Sequence, residues 1–229
     1  MVRSDLSSFP RPSVAVDVAV LTVLPEGELG LLLHRRIGDR AGEWALPGRF
    51  LRDRERLSHA VAAALSEKCD LPARSLAGAV PRQLHVFDDP ARDNRGWVLS
   101  MAHLLGLPYL ELAPAVTARP DLRLVVVKDG RLRLPDRQRQ LPYGQDEIAL
   151  RAVEELRWRY EQGPDPEGLL GTDVFTLSEL RDVHAAVLGE AWQIDTFRRR
   201  MQPHLVETGE QTSGGPGRPA ALFSKATSR

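Results

Sequence analysis

Arg198, Arg199 and Arg200 stand in a row, opposed locally only by Asp195, and Arg218 follows inside a Gly/Pro-rich stretch. Guanidinium groups clustered in this way neutralise phosphates and can bond the guanine edge bidentately. Gln193, Thr196 and Gln202 flank them with further donors and acceptors, and Thr176 upstream completes the expected DNA-contact set. Taken alone, three arginines on one helix also describe an ordinary solvated face, so the surrounding elements have to decide. Other residue types offer less chemistry. The six histidines (His34, His59, His85, His103, His184, His204) are scattered without metal-ligand spacing, and Cys69 is the only cysteine. A zinc module and an internal disulfide are therefore excluded. No catalytic residue and no metal ligand is assigned.

The elements that must carry the arginines are legible. Thr176-Leu177-Ser178-Glu179 fits a capping box, in which the threonine hydroxyl and the glutamate each satisfy a free backbone N–H. A helix is expected from Thr176 to near Gly189, and a second from about Asp195 to His204 with Phe197 and Met201 on one buried face. Leu205 to Thr208, the loop Gly209 to Pro219 and Ala220 to Phe223 then read as a wing. The turn Gly189 to Ile194 is longer than that of the tightest helix-turn-helix units. A capped helix, an arginine-bearing helix and a wing together favour DNA binding over a bare charged face.

The first ~130 residues read as mixed α/β. Val14 to Leu24 and Leu29 to His34 form a hairpin about Pro25-Glu26-Gly27-Glu28, and a helix runs from Leu57 to near Cys69, stopped by Pro72. Leu84 to Phe87, Trp97 to Leu105 and Leu122 to Val127 are further strands. Gly130 to Gly144, with two prolines and little apolar periodicity, is read as a domain boundary, and Asp146 to Gln162 as a helix with a buried stripe of Ile148, Ala149, Ala152, Val153 and Leu156. Trp158 and Tyr160 on that helix are read as packing or dimer contacts. No repeat is visible.

Lys+Arg 31 balances Asp+Glu 31, which argues against non-specific coating of nucleic acid and leaves local patches to act. With 42% hydrophobic residues the chain can build a core, so global disorder is excluded. The lone cysteine favours a cytoplasmic location, and neither an export signal nor a membrane-spanning segment is expected.

Leu46-Pro47-Gly48-Arg49-Phe50-Leu51, then Glu55 and the helix to Leu71, resembles the Nudix box G-x5-E-x7-R-E-U-x-E-E-x-G-U, with U aliphatic. Aligned from Arg49, Glu55 falls on the first glutamate, Leu65 and Leu71 on aliphatic positions and Glu67 on the first of the glutamate pair. Arg49 stands in place of glycine, Ala63-Ala64 in place of Arg-Glu, Lys68 in place of glutamate and Asp70 in place of glycine. In the active family, carboxylates of this helix hold divalent cations, a task for hard oxygen ligands that Glu67 alone cannot perform. Ala64 and Lys68, four apart, share a helix face, which puts the Lys68 ammonium near the lost cation site. Lys68 and Arg49 are expected to meet a pyrophosphate directly, without metal. The alternative, that both are solvated beside a vestigial pocket, stays open.

The eroded box followed by a winged helix resembles the Nudix-related regulators of NAD metabolism, the NrtR family, over about residues 14 to 226. Gly42-Glu43-Trp44-Ala45-Leu46-Pro47-Gly48, Gln83 to Phe87, Arg92-Asp93-Asn94-Arg95-Gly96 and Gly214 to Ala220 carry the likeness. It implies an α/β fold, a Nudix-like mixed-sheet α/β/α sandwich followed by a winged helix-turn-helix domain. The expected division is an N-terminal arm (1–13), an effector-sensing domain (14–134) and a linker helix with the DNA-binding domain (135–229). It also implies a homodimeric repressor on a palindromic operator near NAD biosynthesis or salvage genes, released by ADP-ribose or a related nucleotide, with no cofactor. The expected effector-binding set is Arg36, Trp44, Arg49, Glu67, Lys68, Arg92 and Arg95. A working Nudix hydrolase and a sugar-responsive regulator of the same architecture are the alternatives.

Overall fold

A computed structural model of the chain describes residues 9–72, 76, 79–212 and 219–226. Strand β1 (Ser13–Val23) is its axis. It pairs antiparallel with β2 (Leu29–Arg35), as the hairpin reading expects, and parallel with β6 (Val98–Gly106), giving a mixed sheet. With β3 (Trp44–Ala45), β4 (Gly48–Phe50), β5 (Arg82–Phe87), β7 (Leu122–Lys128) and β8 (Arg131–Leu132), the path runs β5-β6-β1-β2-β7-β8; β3 pairs β2 and β4 pairs β1.

Helices cover both faces, which is why β1 is buried along nearly its whole length instead of alternating with polar residues. Val16, Val18 and Val20 pack with Ala60, Val61, Ala64 and Leu65 of α1 (Leu57–Cys69). Ala19 and Leu21 join Ile148, Ala149, Ala152, Val153 and Leu156 of α3 (Gln145–Gln162) on the other side. Sequence reading groups α3 with the C-terminal unit; its apolar stripe closes the sandwich. Helix α1 ends where expected, but at Asp70, whose left-handed backbone (φ 54°) lets its N–H cap the Leu65 and Ser66 carbonyls. The Nudix box has glycine there, and aspartate is among the residues that accept this conformation.

Helix α2 (Tyr109–Ala118) was not expected; it fills the proline-containing stretch between the strands read at Trp97 to Leu105 and Leu122 to Val127. Pro108 precedes its first turn, and Leu112 buries against the α1 cluster.

The C-terminal part follows the expected pattern closely. Helix α4 (Leu177–Leu188) begins at the Thr176–Glu179 capping box and ends at left-handed Gly189. Helix α5 (Ile194–Met201) is shorter than expected and continues as a 3-10 turn to His204, Pro203 lying inside that turn. Strands β10 (Leu205–Gln211) and β11 (Ala221–Lys225) pair antiparallel, and β9 (Phe175–Thr176) adds a third strand. Phe175, Leu180, Phe197 and Met201 form the core of this unit.

Polar contacts at the end of α3 join the two parts. Buried Tyr160 donates to Asp165 (2.6 Å), which also accepts from the Leu169 N–H (2.8 Å). Arg159 and Arg82 converge on Glu167 at 2.6 and 3.2 Å, and Arg157 donates to the Val187 carbonyl at 3.1 Å. No helix among the described residues is long and apolar enough to cross a membrane.

Candidate functional site

Asp17 is the one charge in the buried run of β1, and it marks the floor of a cleft of about 260 Å³. Ser100 Oγ donates to it at 2.5 Å, Gln145 Nε2 at 2.7 Å, and the Arg92 guanidinium lies 3.8 Å away. Gly48 is required beside it, because a Cβ there would lie 2.4 Å from an Asp17 oxygen and 2.6 Å from the Val16 carbonyl. Gln145 also accepts from the Leu46 N–H at 2.9 Å, so the first residue of α3 is tied both to the cleft floor and to its rim.

Arg36, Arg49, Lys68, Arg92 and Arg95 all line this cleft, together with Tyr143. Five of the seven expected effector residues therefore meet at one place. Trp44 and Glu67 are not among the cleft's lining residues. The Trp44 ring is buried and its Nε1 donates to Asp136 (2.9 Å), while Glu67 is turned toward Arg52 (3.5 Å) and is half exposed. Trp44 braces the segment 136–138, whose Gln138 also bonds its backbone N–H and carbonyl, and Glu67 pairs with Arg52 while lying 4.0 Å from Arg49 of the cleft.

Tyr143 supplies an aromatic wall. The guanidiniums of Arg95, Arg36 and Arg40 lie 4.2, 4.9 and 5.5 Å from its ring centre, within cation–π range. Its left-handed backbone (φ 56°) directs it inward, and its hydroxyl donates to Asp39. Burial, then that bond, raises its pKa. Arg95 forms a fork with Asp93 (2.9 and 2.7 Å), which holds that carboxyl below its usual range. Arg92 donates to the Tyr143 carbonyl at 2.8 Å, while its buried Nε has no partner among the described residues. His34, whose pKa falls to about 4, is neutral at physiological pH; burial is the main cause and the Lys68 charge the next.

The structure thus brings in Asp17, Asp93, Tyr143 and Gln145, which sequence reasoning missed. Asp17 had a signal, an acid interrupting an apolar strand. Tyr143 and Gln145 had none, because they lie in or next to the segment read as a linker.

On the winged helix, Gln193, Thr196, Arg198, Arg199 and Gln202 are exposed on and around α5 while Phe197 and Met201 point inward. Two expected contacts have other duties. Thr176 Oγ1 accepts from the Glu179 N–H (3.2 Å) and donates to its carboxylate (2.9 Å), so its hydroxyl is used by the cap. Arg200 donates to the Glu161 carbonyl at the end of α3 (2.8 Å) and stacks on Trp192 (4.6 Å), fastening α5 to α3. Arg218 lies outside the described residues.

Residues 169–224 match the NrtR DNA-binding winged helix domain. The chain is 27% identical over 222 residues to the ADPR responsive transcriptional repressor NtrR of Acinetobacter baylyi, across 95% of this chain and 83% of that one. It resembles the crystal structure of Shewanella oneidensis NrtR complexed with a 27mer DNA at a TM-score of 0.74 and 26% identity, with 93% of each chain covered. The NUDIX domain of that NrtR, complexed with ADP ribose, matches in fold at a TM-score of 0.52 and 23% identity, over 67% of this chain and 94% of that one. Fold and site together define a Nudix-like sandwich that carries a DNA-binding winged helix. In its winged helix and along nearly its whole length the chain is similar to Nudix-related regulators of the NrtR type.

Proposed function

We propose that the protein is a transcriptional repressor of NAD biosynthesis or salvage genes whose Nudix-like cleft binds ADP-ribose or a related nucleotide. The observation that carries this reading is the meeting of Arg36, Arg49, Lys68, Arg92 and Arg95 in one cleft beside the Tyr143 ring. Arg49 and Arg95 are paired with Glu55 and Asp93, but Lys68 is in none of the ion pairs among the described residues, and guanidiniums bond phosphate oxygens in pairs. The names of the Acinetobacter relative and the Shewanella complex support the same ligand. Hydrolysis is not expected, because α1 presents Ala63, Ala64 and Lys68 where the Nudix box has Arg, Glu and Glu.

At the other end, Gln193, Thr196, Arg198, Arg199 and Gln202 contact the operator, with Arg218 in the wing. A homodimer on a palindrome places its two α5 helices in successive major grooves, about 10 base pairs apart or a multiple of that. Residues 14–134 sense and residues 135–229 couple and read. Tyr143 and Gln145 link the cleft to the start of α3, and Arg157 and Arg200 link its far end to α4 and α5. A ligand weakens DNA binding to the extent that it prefers the arrangement of these contacts that does not fit DNA. Calorimetry with ADP-ribose and a chelator tests the sensing half: saturable 1:1 binding per chain is expected, and absence of heat or turnover of the nucleotide with magnesium would contradict it.

A further inference from the structure

The Nudix resemblance implies a divalent cation, and the residues present do not fit one. A hard cation needs several converging oxygens. Glu55 and Glu67, the two glutamates the box retains, converge instead on a guanidinium. Arg49 Nη1 donates to Glu55 at 2.9 Å, and its Nε lies 4.0 Å from Glu67. The second Glu55 oxygen accepts from the Arg52 N–H at 2.8 Å, and the second Glu67 oxygen faces the Arg52 side chain at 3.5 Å. Arg49 and Glu55 are both largely buried, with side chains 10% and 15% exposed. The Arg52 backbone bond, then Arg49, hold the Glu55 carboxyl below its usual range.

We propose that the Arg49 guanidinium is a built-in substitute for the divalent cation, seated between Glu55 and Glu67 and presented to the anion that enters the cleft. Arg49 lines that cleft with Lys68 and Arg92. A guanidinium has five donors and keeps its charge at any accessible pH. After the bond to Glu55, donors remain for phosphate oxygens, so one side chain bridges carboxylate and phosphate as a metal ion would. It also excludes the ion, because it uses the carboxylate oxygens and repels a second cation at the same place. Arg49 grows from β4, where its backbone pairs with Val16, so the charge is fixed to the sheet and cannot be extracted by a chelator.

The assignment rests on the sensing role of the cleft for its phosphate, but the exclusion of metal is testable without any nucleotide. Manganese alone is titrated, with electron paramagnetic resonance as readout, into the full chain, Lys68→Glu and the double variant Arg49→Ala/Lys68→Glu. Lys68→Glu returns a carboxylate to the box while Arg49 remains. The native chain and Lys68→Glu are expected to bind manganese only weakly, and the double variant one ion per chain at least tenfold more tightly than Lys68→Glu. Arg49→Gln/Lys68→Glu, which keeps more of the side chain's bulk, carries the same expectation if the alanine variant folds poorly. Equal affinity in single and double variants, or no binding by either double variant, would overturn the proposal. Because no nucleotide is present, that failure is distinct from a failure of ADP-ribose to bind.

Discussion

Lys68 lines the cleft from the last turn of α1, and none of the ion pairs among the described residues includes it. Its charge is therefore available to a ligand, whereas Arg95 is shared with Asp93 and Arg49 with Glu55. Lys68→Ala is expected to weaken ADP-ribose binding by about 10- to 100-fold, roughly 1.5 to 3 kcal/mol for a hydrogen bond to a charged group. Calorimetry reads the loss, and operator affinity without nucleotide should not change. On α5, Arg199 is exposed and its only partner among the described residues is the Asp195 carbonyl at 3.4 Å, which leaves its guanidinium able to reach a base edge. Arg199→Ala should cost about 1 to 3 kcal/mol on the operator and much less on scrambled DNA if it reads a base. An equal loss on both would make it a phosphate contact. The cationic side of the cleft was legible because Arg49, Lys68, Arg92 and Arg95 depart from or match a known motif at fixed spacing. Trp44 was misplaced because a motif gives the order of residues along a strand and not the face its ring takes.

Elements were read best where a local signal fixes them. The Thr176 cap and Gly189 bound α4 through backbone groups only a few residues away, and Gly163 follows the last residue of α3. Helix α2 was missed because proline composition outweighed a helix that tertiary burial of Leu112 supports. The segment 130–144 looked like a linker because its order comes from distant partners: Gln138 on the Trp44 backbone, and Tyr143 among Arg36, Arg40 and Arg95. The cap yields a test of its own. Thr176→Ala should destabilise the winged helix by about 1 kcal/mol, whereas Thr176→Ser should be close to neutral. Thermal melting measures the difference. If Thr176→Ser instead reduced operator affinity at full folding, the threonine would be touching DNA as well as capping.

Across the whole molecule, α3 packs against both the sheet and the winged helix, and Val187 of α4 joins it in the core beside β1. With 18 residues α3 spans roughly 27 Å at 1.5 Å per residue. His184 lies at its far end, in edge contact with Tyr160 and Phe197, with Asp165 and Arg200 as neighbouring charged groups. Burial, with Arg200 adding to it, lowers its pKa to about 4, and His34 in the sheet is lowered to about 4 as well. Unfolding returns both to their ordinary value near 6.5, so the unfolded chain binds more protons between these limits and stability falls as pH drops from about 6.5 to 4. Each histidine contributes on the order of 3 kcal/mol to that loss by the usual conversion of a pKa shift. His184→Phe should flatten the decline in melting temperature between pH 6.5 and 4, and an unchanged slope would remove His184 as a cause. The sequence could not show this coupling, since the partners of His184 come from α3, α5 and the loop that follows α3.

The account stands or falls on communication between the cleft and α5. Fluorescence anisotropy of the full chain on DNA from upstream of its own gene, titrated with ADP-ribose in the presence of a chelator, tests this most directly. Tight binding that is progressively lost as the nucleotide saturates is expected, with the same midpoint when magnesium is added. Binding that is indifferent to the nucleotide, or that responds only with metal present, would contradict it.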